Sequence, residues 1–163
     1  MNTNQYDKEL WSDLCVAENA FYEARMTLIS SAQNITILVS AALAQPSQRG
    51  TALRLLQILP EGLIRHHFSQ LVDLVSVGHS DIELSRAVLL RIDRDWLVQN
   101  IDPYVMQILE NGGEEEFRRI AEFYKILSSD LLSLHLERCS LHIDPEINEI
   151  ASDFEDLVTK NSG

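Results

Sequence analysis

The sequence predicts an all-α chain built from repeated helix pairs. Three observations predict it. Apolar residues recur at spacings of three and four almost throughout, the period of a helix that buries one face. Only 6 Gly and 4 Pro occur in 163 residues, too few for a turn-rich sandwich or a disordered chain. Short polar breaks with helix-starting residues return every 30 to 36 positions.

The elements follow in order. Residues 4–29 carry Leu10, Trp11, Leu14, Phe21, Met26 and Leu28 at helical spacing. Residues 32–44 are apolar nearly all round, which predicts a central helix. Ser30 and Ser31 leave open whether these two segments are one helix. Pro46 suits the first turn of a helix that ends before Pro60. Pro60 opens a longer one, with Gly78 as its C-terminal cap. Ser80 or Asp81 caps the segment beginning at Ile82, and residues 93–101 form a short helix. Asp102 and Pro103 read as N-cap and first position of the next, which stops at Gly112-Gly113. Glu114, Glu115 and Glu116 then sit at the positive end of a helix dipole. That helix runs to about Ser128, residues 130–142 form another, and Asp144-Pro145 begins the last. Many of these nine or ten helices are under four turns, too short to be stable alone, so packing must hold them.

Four breaks align. Gln45–Ala52, Asp81–Val88, Glu114–Ala121 and Asp144–Ala151 each begin with an acid or amide and end on a small or β-branched residue. Leu84, Phe117 and Ile147 lie three positions in, four residues before that end and on the same helix face. The end positions are 36, 33 and 30 residues apart, with room for a second helix between copies. Two helices per such period is the mark of an α-solenoid.

The pattern resembles the HEAT/armadillo repeat family, whose second helix opens with Asp-Pro, an apolar residue, Arg and then Ala. Asp144, Pro145, Ile147 and Ala151 match, with Asn148 where Arg is usual. Arg118 and Arg49 stand at the Arg position of two other copies; Ser85 and Gln48 depart from the pattern. The resemblance spans residues 32–160. It implies a single domain over 1–163: an N-terminal capping helix at 1–31, about four HEAT-like repeats, and a tail at 161–163.

A net charge of −12 and a pI near 4.7 disfavour nucleic acid and anionic membranes as ligands, because phosphate binding needs clustered cations. They allow a basic protein partner. No basic, apolar leader opens the chain, and Cys15 and Cys139 have no metal or redox spacing, which predicts reduced thiols in the cytoplasm. The Ser- and Asn-broken stretch at 26–44 predicts a core helix rather than a membrane span.

Chemistry has few candidates. His135, Cys139 and His142 share a helix face, yet no fourth ligand is evident and leucines surround them. His66 and His67 are adjacent, about 100° apart on a helix, and do not chelate one metal together. No phosphate loop, nucleophile elbow or zinc motif occurs. No cofactor and no catalysis are expected. The resemblance implies a scaffold that binds another protein or peptide on its inner helices. Those helices carry Arg49, Arg54, Arg86, Arg91, Arg118 and Arg119, which either form a partner-facing stripe or pair with neighbouring acids. The alternative reading is an acidic inhibitor that blocks a basic, nucleic-acid-processing partner.

Overall fold

The computed structural model describes residues 3–160, with side chains over 5–154. The predicted tail lies outside the described residues. Eleven helices are described and no strand. In order they are α1 (Thr3–Ser31), α2 (Ile35–Leu43), α3 (Pro46–Leu56), α4 (Glu61–His66), α5 (Phe68–Val75) and α6 (Ile82–Leu89). They continue with α7 (Arg94–Asn100), α8 (Asp102–Leu109), α9 (Glu114–Leu127), α10 (Ser129–Ser140) and α11 (Pro145–Lys160). None is long and apolar enough to cross a membrane.

Contacts divide the chain into two units, residues 1–39 and 40–163. The first is mainly α1, a helix of 29 residues in which every position from Gln5 to Ala24 is exposed. Residues 32–34 break α1 from α2. The apolar α2 is not the central helix its composition predicts: Ile37 and Leu38 are exposed, while Val39 and Leu43 are buried.

In the second unit, α3 lies against α6, α5 against α6 and α8, and α9 against α10 and α11. One burial order recurs along it. Ala52, Leu53, Leu55, Leu56 and Leu59 are buried, with Arg54 and Ile58 exposed between them. The order returns 33 residues on at Ser85, Arg86, Val88, Leu89 and Ile92, and 35 further on at Ile120, Ala121, Phe123, Tyr124 and Leu127. The same two steps relate Ile64 and Phe68 to Leu97 and Ile101, then to Leu132 and Leu136. This register differs from the alignment on small residues, which set Ala52 beside Val88, Ala121 and Ala151. Burial sets it beside Ser85 and Ile120.

Three local expectations are corrected. Pro60 does not open one long helix, because His67 adopts φ −100° and ψ 18° and separates α4 from α5. Gly78 caps nothing in a left-handed conformation, since no described glycine has positive φ. Its N–H donates to Glu115 Oε1 at 2.9 Å, and a Cβ there would stand 2.7 Å from that oxygen, so a larger residue would displace the end of the Glu115 side chain. Asp102 is not an N-cap; Ile101 holds that place and Asp102 is drawn away to Arg138. Ser128 caps α10 instead, accepting from the Leu131 N–H.

Candidate binding surface

Most polar contacts between distant helices join residues some 30 to 36 positions apart in sequence. Arg91 Nη1 donates to the carbonyls of Leu56 (2.8 Å) and Leu59 (3.1 Å), satisfying orphan acceptors at the end of α3. Arg94 Nη2 does the same for Leu127 at 2.9 Å, at the end of α9. Arg86 reaches Glu122 at 2.7 Å, and Arg118 reaches Asp153 at 2.8 Å. Arg138 grips Asp102 through two bonds of 2.7 Å, and Gln70 is clasped by the Ser40 hydroxyl and carbonyl at 2.8 and 3.1 Å.

The six expected arginines therefore split. Arg86, Arg118 and Arg119 hold carboxylates: Glu83 and Glu122, Glu114 and Asp153, and Glu122 respectively. Arg91 and Arg49 hold backbone carbonyls, Arg49 through Leu43 at 3.2 Å. Arg54 is exposed and, among the described residues, reaches only the Thr51 hydroxyl, at 3.5 Å. These side chains do not converge on one open stripe. The acids Asp95, Glu110, Asp130, Glu137 and Glu149 are exposed.

One groove stands beside this network. It holds about 210 Å³ and is lined by Leu43, Ala44, Arg49, Gln70, Asp73 and Leu74. The end of α2, the start of α3 and one face of α5 supply it. Gln70 is fixed by Ser40 and by a 3.3 Å contact to His67 Nδ1, so the polar wall is preset. Asp73 has its carboxyl raised above the usual range by desolvation. Arg49, Asp73 and the apolar side chains of Leu43 and Leu74 thus line one groove.

His135 is fully buried, with Nε2 2.8 Å from the Phe117 carbonyl and its ring stacked 5.7 Å from Phe117. The carbonyl only accepts, so Nε2 carries the proton and the buried Nδ1 has no partner. Cys139 is buried, which pushes its thiol up to about 11. His142 Nδ1 accepts from the Asp144 N–H at 3.1 Å. No group of three metal-ligating side chains converges among the described residues.

Burial lowers the pKa of both His67 and His135 from 6.5. The unfolded chain then binds more protons than the fold just below that value, so stability falls as pH drops. The denaturation midpoint is expected to decline between about pH 7.5 and about pH 5.5. His135→Gln, which retains a donor for Phe117, is expected to shallow that decline in a urea titration.

Comparison of the chain with protein-family models, with curated proteins and with solved structures gives no match.

Proposed function

We propose that the chain is a HEAT-like α-solenoid and a non-catalytic scaffold that holds a basic segment of another protein. The observation that carries the reading is the burial order that returns at steps of 33 and 35 residues, in both helices of each pair. Stacked pairs bury one continuous core and leave a long face for a partner. The charge favours a basic occupant. The ion-paired arginine struts consume at least as many carboxylates as cations, so the balance of −12 remains, and Asp95, Glu110, Asp130, Glu137 and Glu149 give the exposed surface a negative skew. That skew equally favours the second reading, in which the occupant is a basic nucleic-acid-processing enzyme that the chain blocks.

The seat proposed for the apolar part of the occupant is the groove at Leu43, Asp73 and Leu74. The purified chain, immobilised, is expected to retain a basic protein at low salt and to release most of it at high salt. Leu74→Glu and Asp73→Lys are expected to cut retention at least roughly tenfold at low salt, the scale of one buried side chain. Retention unchanged by both substitutions would remove the groove. Absence of any salt-sensitive partner would remove the basic-segment reading.

A further inference from the structure

We infer that α1 is a self-recognition helix, pairing antiparallel with α1 of a second copy of this chain. Its most ordered feature is a seam of Leu10, Leu14, Ala17, Phe21, Ala24 and Leu28, at steps of 4, 3, 4, 3 and 4. That is the spacing of a coiled-coil core, and at 100° per residue the six fall within an 80° arc. All six are exposed, with Leu10 and Leu14 at 51%, Phe21 at 45% and Leu28 at 39%. Such a seam, left in water, gives a long helix little reason to persist.

The order of sizes selects the occupant. A two-fold axis at Asn19 sets Ala17 against Phe21, Leu14 against Ala24 and Leu10 against Leu28 of the other copy. In the two inner layers a large side chain meets a methyl group, so the helices keep an even separation. A parallel pair would stack Phe21 on Phe21 and Ala17 on Ala17, spreading the helices at one layer and leaving a void at the next. The seam is thus complementary to its own reverse, as an isologous contact requires.

The flanks agree. Arg25 lies 5.4 Å from the centroid of the Phe21 ring of its own helix, forms no ion pair among the described residues, and has a buried Nε with no partner. In the antiparallel pair it lies on the same flank of the seam as Trp11 of the second copy, two residues off level, where the 68% exposed ring offers a cation–π face. Antiparallel helices also oppose their dipoles favourably. The helix bears Asp7, Glu9, Asp13, Glu18 and Glu23 against Lys8 and Arg25, an acidic balance that opposes an anionic membrane. A seam of about 2.5 heptads lies at the small end of stable interfaces, and the two Glu18 side chains flank the axis, so the dimer depends on concentration.

Sedimentation equilibrium of the full chain tests this. The wild-type mass is expected to move from 18.5 kDa toward twice that across the micromolar range. Phe21→Glu, at an exposed position, is expected to weaken the dimer roughly 100-fold or more while leaving the thermal melt of residues 40–163 unchanged. Leu14→Glu alone is expected to dissociate the pair. Adding Ala24→Lys is expected to restore it, because each introduced carboxylate then faces an introduced ammonium across the axis; in a parallel pair it would not. A wild type that stays monomeric, a dimer indifferent to Phe21→Glu, or a double substitution that fails to recover overturns the proposal. So does a monomer that floats with uncharged phospholipid vesicles, which would assign the seam to a lipid surface. None of these outcomes bears on the groove at Asp73.

Discussion

Asp102→Ala is expected to cost about 3 kcal/mol in urea unfolding, the largest loss for any single polar side chain of the second unit. Asp102 accepts from the Tyr124 hydroxyl at 3.2 Å and receives both terminal nitrogens of Arg138 at 2.7 Å. Tyr124 is fully buried, and Arg138 and Asp102 each keep only about a quarter of their side-chain surface. Truncation therefore strands a buried hydroxyl and a half-buried guanidinium at once. Solvent at the pair tempers the charge penalty, which keeps the figure below that of a wholly buried bridge. In a domain of this size the loss corresponds to a fall of roughly 6–12 °C in Tm.

Tyr124→Phe removes one hydrogen bond and leaves the ion pair, so it is expected to cost only about 1 kcal/mol. Asp102→Ala combined with Arg138→Met is expected to cost less than Asp102→Ala alone, because no cation is left unpaired. The pH dependence is fixed by sign. The Arg138 guanidinium holds the Asp102 carboxyl below its ordinary 3.8, so its contribution is complete above that value and is lost as pH falls through the folded pKa. Wild type and Asp102→Ala are expected to converge in strong acid. If their unfolding curves stay equally far apart at every pH, the network is not what holds α8 to α9 and α10.

Helix content was legible in the sequence because periodicity of three and four needs only local residues. So were the stops at Pro60 and Gly112-Gly113 and the acids opening α9, where Glu116 Oε2 accepts from the Gly113 N–H at 2.9 Å. The break at His67 was not, since His66, His67 and Phe68 continue the apolar pattern without a Pro or Gly. The alignment on small residues differs from the burial order because small residues stand at near-equivalent positions: Ala52, Ala87 and Ala121 all invite alignment. A better mark was present. Leu55-Leu56, Val88-Leu89 and Phe123-Tyr124 are each followed three residues later by Leu59, Ile92 and Leu127, and then by Pro60, Asp93 and Ser128, which start the next helix. The groove was invisible, because Leu43 and Asp73 meet only through tertiary contact. Asp102 was read as a cap because Asp before Pro has that local preference, and Arg138, 36 residues away, outweighs it.

Arg86→Leu is expected to be nearly neutral, within about 1 kcal/mol, whereas Arg86→Ala is expected to cost about 2–3 kcal/mol. The burial register gives the reason. In that burial order Arg86, 6% exposed, stands where Leu53 stands 33 residues earlier and Ala121 stands 35 residues later. It is a cation in a core position, kept there by Glu83 and Glu122, with a buried Nε that finds no acceptor. Leucine fills the space of the aliphatic stem and removes that orphan. Alanine leaves a void where the buried stem of Arg86 lay. Glu122 is not abandoned in either variant, since Arg119 Nη1 still donates to it at 2.8 and 3.1 Å. Two side chains of the same lost charge thus separate packing from pairing. If leucine costs as much as alanine, the ion pair itself is the stabiliser and the register that equates Arg86 with Leu53 fails. The same variant weighs the partner surface. A guanidinium turned inward contributes nothing to an outside ligand, so Arg86→Leu is expected to leave partner retention unchanged, while Leu74→Glu in the groove does not.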